Sequence, residues 1–391
     1  MNVQCKNCNK KFIITEDDQK FYANIGVPAP TFCPDCRLQR RLVFRNERTL
    51  YYRNCDLCKK RIVSLYHKDS PYIVYCTKCW WSDNWDGVEY GQDYDWNKSL
   101  FEQFGELMKK VPRIALISTK NINSPYVNYC INLKDSYFLV GSSDNENCAY
   151  ANRTFYSKDS YDAFGLVKSE LCYETIQLSQ SYKSFFSKYS EGIVDSKFVS
   201  DCRNSSYCIG CKNIRNKNYQ IFNKEYSKED YYKELQKYNT GSYSEFKKLQ
   251  DKVKEFFIKL PNMSFRIVHS VNSSGEDLAN MKNSKHCFVM RQSENNKYGY
   301  FGTNIKDSFD VNFADNVELV YESTNLEQNY KKLFSLTCWF SRYISYCDTC
   351  FSSLNLFGCI GLNKKQYCIL NKQYTKEEYE ELIGKIKEQM G

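Results

Sequence analysis

Three histidines in 391 residues leave little imidazole for acid–base or nucleophilic chemistry. His67, His269 and His286 lie in no nucleophile or metalloprotease motif. The phosphate loop Gly-x-x-x-x-Gly-Lys-Ser/Thr and the dinucleotide fingerprint are missing as well. There is no apolar run of about 18 residues, so no membrane-spanning helix is expected. Met1-Asn2-Val3-Gln4-Cys5 forms no apolar signal region. Disorder is excluded by composition: 33 Tyr and 25 Phe bring aromatics to 16% of the chain, and disordered segments are poor in large apolar groups. Together these features predict a folded, non-enzymatic protein of the reducing cytoplasm, with no membrane partner and no small-molecule substrate.

Cysteine is abundant. Of 20 cysteines, eight fall in the first 80 residues as four Cys-x-x-Cys knuckles: Cys5/Cys8, Cys33/Cys36, Cys55/Cys58 and Cys76/Cys79. In a reducing compartment such pairs are read as zinc ligands before disulfides. Two knuckles complete one tetrahedral Cys₄ site with Zn–S near about 2.3 Å, a closed arrangement suited to structural zinc. Two structural zinc ions are therefore expected. The formal net charge is +9. Each zinc held by four thiolates carries about −2, which leaves a total of about +5. The chain is only mildly basic.

In the first pair of knuckles, a strand at Ile13-Ile14 and a helical turn from Glu16 to Tyr22 lie between the ligands. A helix from Arg37 to Arg45 follows. This is the order of a treble clef, with the last two thiolates at a helix N-terminus, whose partial positive charge favours them. The run Cys-x-x-Cys-x-Lys-x-Phe from Cys5, then Thr15 to Tyr22, Gly26, Pro28 and Cys33-Pro34-Asp35-Cys36-Arg37-x-x-Arg40-Arg41, resembles a family over residues 3 to 45. That family is the probable treble-clef zinc-ribbon domain of uncharacterised bacterial proteins. The longer order, with a second ribbon and Tyr/Cys-rich repeats, is similar to such proteins too. The resemblance implies zinc on Cys5, Cys8, Cys33 and Cys36, and no activity.

The second pair encloses two strands, Ile62 to Tyr66 and Tyr72 to Tyr75, around a turn at Lys68 to Pro71, the pattern of a zinc ribbon. Its four cysteines fill the site, so His67 reads as a surface residue. Between the modules lies a basic segment: Arg37, Arg40, Arg41, Arg45, Arg48, Arg53, Lys59, Lys60 and Arg61 against Glu47 and Asp56. Arg37, Arg41, Arg45 and Arg48 share one helical face, and Tyr51 and Tyr52 could stack on bases. The functional reading assigns Arg37, Arg40, Arg41, Arg45, Arg48 and Arg53 to RNA or DNA phosphates. The structural reading pairs this face with acidic groups elsewhere in the chain. From 80 to 97, Trp80, Trp81, Trp85 and Trp96 mix with Asp83, Asp86, Glu89, Asp93 and Asp95. This bridge is expected to pack one domain onto the next, and is a candidate partner for the arginines.

The remainder is duplicated. An offset of 148 positions takes Lys158-Asp159-Ser160-Tyr161-Asp162 to Lys306-Asp307-Ser308-Phe309-Asp310, and about a third of positions from 158 to 231 are identical. Each copy opens with an amphipathic helix, the first capped by Ser99-x-x-Glu102. Each closes with a helix capped at Ser227 or Thr375. Between them, short aromatic or cysteine-bearing strands recur every 9 to 13 residues or so, which predicts a β-solenoid with Tyr, Phe and Cys stacked inside and Asn, Ser and Asp at the corners. A β-sandwich is the alternative. Cys202, Cys208, Cys211, Cys347, Cys350 and Cys359 read as core residues before a third metal site. The expected fold is thus mainly β with some helix. Residues 1–50 are a treble clef, 51–80 a ribbon, 81–97 the bridge, and 98–240 and 241–391 the two repeat modules. The expected function is zinc-stabilised binding of nucleic acid. A protein–protein adaptor or scaffold and a polysaccharide-type solenoid enzyme are the rivals.

Overall fold

The computed structural model describes residues 1–238 and 240–390. In each N-terminal module the first knuckle is itself a tight turn. Strands β1 (Asn2–Gln4) and β2 (Lys11–Ile13) pair antiparallel around Cys5 and Cys8. Asn9 takes the left-handed conformation at φ 61, and the Cys5 N–H donates to the Lys10 carbonyl at 2.9 Å. Helix α1 (Glu16–Ile25) starts on a capping box between Thr15 and Asp18 and stops at Gly26, left-handed at φ 72. Helix α2 (Pro34–Val43) begins directly after Cys33. The ribbon repeats the device. Strands β3 (Tyr51–Asn54) and β4 (Arg61–Ser64) pair around Cys55 and Cys58, with Lys59 left-handed. The hairpin expected around Lys68 to Pro71 does not form: β4 is already paired upstream with β3. Instead β5 (Val74–Tyr75) leads into the short helix α3 (Thr77–Trp80) and pairs with β6 (Arg113–Ile114), fastening the ribbon to the repeats.

Residues 118–221 and 267–369 wind as two four-sided β-solenoids, and no sandwich forms. Every third residue is left-handed. Asp135, Phe138, Gly141, Asp144 and Asn147 have φ 48, 54, 58, 56 and 52. Each of these residues turns a corner, and four corners close a coil of twelve residues. Thus Tyr137 lies opposite Ala149, Ala149 opposite Tyr161, and Tyr161 opposite Tyr173, all in parallel register. The residue after each corner points inward: Ser136, Leu139, Ser142, Asn145 and Cys148 are all buried. A non-glycine residue in the left-handed region costs roughly 1–2 kcal/mol, and Asn and Asp tolerate it best. They also bond coil to coil, as Asn132 does to Asp144 at 2.6 Å and Asn147 to Asp159 at 2.5 Å.

Small inward side chains satisfy the interior. The Ser136 hydroxyl donates to the Lys134 carbonyl (2.9 Å) and accepts from the Cys148 N–H of the next coil (3.2 Å). Cysteine makes the same pair of bonds: the Cys338 thiol donates to the Leu336 carbonyl (3.0 Å) and accepts from the Cys350 N–H (3.4 Å). The interior is therefore mostly Ser, Cys, Leu, Ile, Val and Ala, with a few Thr, Asn and Met and the buried lysine Lys332 among the described residues. Tyr and Phe, expected inside, stand at corners and on outer faces, because sides of three residues leave no room for a ring.

The two solenoids lie side by side and run in opposite directions. Ile117 clusters with Phe351, Arg153 stacks on Phe301 (3.3 Å), Gln177 bonds Asp277 (2.6 Å) and Arg266 stacks on Tyr189 (3.6 Å). As one partner advances along the chain, the other recedes. Helix α4 (Leu100–Lys110), which precedes the first solenoid, packs on Phe357, Ile360 and Ile369 of the second. After α5 (Lys228–Leu235), helix α6 (Tyr243–Ile258), which precedes the second solenoid, packs on Phe198 and Ile209 of the first. The C-terminal α7 (Lys376–Met390) joins α4 over Ile369 and Leu370. No helix among the described residues is long and apolar enough to cross a membrane.

Candidate metal centres and the arginine interface

The eight knuckle cysteines form two groups, Cys5/Cys8/Cys33/Cys36 and Cys55/Cys58/Cys76/Cys79, each with its sulfurs within 4.8 Å of one another. A tetrahedral ion with Zn–S bonds of about 2.3 Å needs sulfurs about 3.8 Å apart. Cys8 and Cys33 are 3.6 Å apart, and Cys58 and Cys76 are 3.9 Å apart. Backbone donors are aimed at the sulfurs: Cys33 N–H to Cys5 and Cys76 N–H to Cys55, both 3.2 Å. Burial pushes the Cys5 thiol up, but backbone N–H groups of Cys33, Cys8 and Asn7 outweigh it and bring it down to about 6. Cys55 is brought down to about 7 by the same balance of burial against backbone donors. The donor set suits a closed structural ion such as zinc. His67 is exposed, faces Asp69, and belongs to neither group.

Among the described residues no third group of this kind exists. Cys202, Cys208, Cys211, Cys347, Cys350 and Cys359 are buried in the solenoid ladders. Their thiols donate to backbone carbonyls, as Cys211 does to Ile209 and Cys359 to Phe357.

The arginine segment lies against acidic groups elsewhere in the chain, the arrangement given by the structural reading of its sequence. Helix α2 is docked on the second solenoid, not presented to solvent. Arg37 is 1% exposed and pairs with the fully buried Asp310 at 2.9 Å. Arg41 takes the other oxygen of Asp310 at 2.9 Å and also donates to Asn312 at 2.8 Å. Arg40 pairs with Glu322. Arg45 pairs with Glu47 at 2.7 Å and lies on the Phe313 ring at 3.5 Å. Arg53 bonds Asp56 within the ribbon at 3.0 Å. Only Arg48 and part of Arg40 remain in solvent. Buried carboxylates hold Arg37 and Arg41, so in this fold neither can reach a phosphate. Their partner is not the acidic bridge either: Asp86 and Asp93 pair with Lys365 and Lys372 at the end of the second solenoid. The bridge does pack domains together. Trp80 is buried with Ile114, Ile117 and Phe351, and its indole N–H donates to the Pro112 carbonyl at 3.2 Å.

Around the arginines the α1 aromatics complete the interface. Phe21 stacks on Phe309 (3.8 Å), Tyr22 meets Tyr321 (5.4 Å), Arg37 lies over Tyr298 (5.3 Å), and Lys297 bonds Asp18 (2.6 Å). Two other features of the second solenoid went unseen in the sequence. An open groove of about 1040 Å³ runs along one side, lined by an alternating column of Lys282, Glu294, Lys306 and Glu318. Lys306 pairs with Glu294 at 3.3 Å, which neutralises that carboxylate. Asp315 and Glu327 stand one coil apart between the groove and the corner that meets the first solenoid. Burial pushes both carboxyls up, and Asp315 adds to the rise at Glu327. The twelve-residue coil would have revealed both columns in the sequence, had its length been known.

The geometry defines a class: two Cys₄ modules mounted on a duplicated, antiparallel pair of four-sided solenoids. Residues 1–43 match the family described as a probable treble clef domain. No curated protein sequence matches the chain. A solved structure from Desulfovibrio desulfuricans G20, described as a provisional acetyltransferase, is similar at 13% identity, covering 61% of this chain and 63% of that one. Its TM-score of 0.11 is too low to bear on the fold.

Proposed function

We propose that the protein is a non-enzymatic scaffold, held together by two structural zinc ions, that binds protein partners through the exposed sides of its solenoids. The observation that carries this reading is a row of solvent-facing rings on the first solenoid. Tyr137, Tyr150, Tyr161 and Tyr173 are all exposed. Exposed aromatics gathered on one face mark contact surfaces. Its free thiols suit a reducing compartment. The test is crosslinking and affinity capture with the full chain, with and without nuclease. Specific protein partners that survive nuclease, and are lost when Tyr150 and Tyr161 are changed to Ser, are expected. Partners that vanish with nuclease would overturn the reading.

A second reading keeps nucleic acid, on the exposed remainder of the basic segment. Arg61 lies over the exposed Tyr52 ring at 4.4 Å, with Lys59 and Lys60 exposed on the same ribbon and Arg48 exposed just before it. Under that reading Arg48→Glu with Arg61→Glu abolishes salt-dependent RNA or DNA binding. Arg41→Glu would be uninformative, because it breaks the buried contact with Asp310.

A further inference from the structure

The treble clef is docked on one face of the second solenoid, and the first solenoid carries the same face. The repeat offset maps Tyr298, Phe309, Asp310, Tyr321 and Glu322 onto Tyr150, Tyr161, Asp162, Tyr173 and Glu174. The backbone follows: Tyr150, Asp162 and Glu174 are left-handed corners one coil apart, as are Tyr298, Asp310 and Glu322. In the second solenoid these groups hold Arg37, Arg41 and Arg40 and stack against Phe21 and Tyr22. In the first, all five are exposed. Neither Asp162 nor Glu174 has a cation partner among the described residues. The face is bounded on one side by Tyr52 of the ribbon, which reaches Tyr126, and on the other by Phe246 of α6, which reaches Phe186. The chain's own treble clef cannot fill it, being held on the second solenoid by the buried Asp310.

We infer that the Tyr150–Glu174 face of the first solenoid is a docking site for an arginine-bearing helix of a partner protein, engaged as the second solenoid engages α2. The inference rests on the scaffold reading and names its partner by chemistry: arginines one helical turn apart, flanked by an aromatic ring. Two carboxylates among tyrosines supply ion pairs, cation–π faces and stacking area together. The sites differ at their edges. Asn312, which accepts from Arg41, corresponds to Phe164, and Lys297, which bonds Asp18, corresponds to Ala149. The partner therefore presents a ring or aliphatic group where α2 presents the Nε edge of Arg41, and needs no acidic residue opposite Ala149.

The test uses the full chain and a labelled helical peptide of residues 30–46. Cys33 and Cys36 are replaced by serine, and a side-chain link on the solvent face joins positions 39 and 43. Saturable one-site binding is expected, weakening with salt and falling about tenfold or more in Asp162→Asn/Glu174→Gln. A peptide with Arg37 and Arg41 changed to Gln should not bind. Absence of saturable binding, or binding indifferent to Asp162→Asn/Glu174→Gln, overturns the inference. So does a homodimer that this double variant dissociates, since a second copy's helix would then be the occupant. Peptide binding that persists while protein capture fails would remove the scaffold reading and leave this face standing.

Discussion

Asp310 and Asp162 are the same residue in two copies, and their surroundings give them opposite weights. Asp310 is fully buried between two arginines, so Asp310→Asn leaves guanidinium charge without its counter-ion, at a cost of about 3–5 kcal/mol to docking. Hydrogen exchange should accelerate across residues 16–43 while solenoid amides keep their protection. Asp162→Asn should change stability by less than about 0.5 kcal/mol, because the side chain is exposed and has no cation partner among the described residues. Lys332 presents the reverse problem. It points into the second solenoid, fully buried, with one bond from Nζ to the Cys338 carbonyl at 3.2 Å. Burial pushes its amine below the ordinary lysine range. Burial also pushes Cys338, Cys347 and Cys350 far up, so these neighbours stay neutral and offer no thiolate. The unfolded chain then binds a proton that the folded chain resists, and stability is lost as pH falls from the ordinary lysine value of about 10.4 toward the depressed one. Lys332→Met should stabilise by about 1–3 kcal/mol at neutral pH. The gain should shrink as pH nears about 10.4, read from urea midpoints of both proteins.

At the scale of elements, the zinc modules and the coils are stabilised by different means. A module of some 40 residues has little core: Cys5, Cys33 and Cys36 are the centre of its own cluster, with Phe12 and Phe32 beside them. Its fold is therefore expected to depend on a bound ion. Metal analysis should find about two zinc equivalents per chain, and Cys36→Ser about one. Chelation should release exchange protection in α1 and α2 while the β circular dichroism of the solenoids persists. The coils need no ion, because each rests on parallel pairing and inward hydroxyls and thiols shared with the next. This is also why their length was hard to read. An inward position accepts Ser, Cys, Leu or Ala alike, so the period shows only in a corner conformation that many residue types adopt. The knuckles were legible because their chemistry demands one residue type at one spacing.

For the whole molecule, the antiparallel pairing makes the two solenoids one body. Arg153 sits at that seam, buried on Phe301 and near Phe313, with no carboxylate ion pair among the described residues. Burial pushes its guanidinium down to about 10. Arg153→Ala should destabilise the protein by about 1–2 kcal/mol. Thermal unfolding should then broaden toward two transitions, as the stacks lose a shared contact. The helices exchanged between copies, α4 over the second stack and α6 over the first, oppose full separation.

By itself the sequence determined the two Cys₄ groups, the treble clef, the duplication and the flanking helices, and it favoured a solenoid over a sandwich without deciding between them. Each depends on residue types at short separations or on a repeat that can be counted. The tertiary structure decided the four-sided coil, the antiparallel arrangement and the destination of the arginines. Arg37 and Asp310 lie far apart in sequence, and no local pattern links a basic helix to the one carboxylate that buries it. Having spent its arginines on the second solenoid, the fold leaves their acidic and aromatic counterpart open on the first.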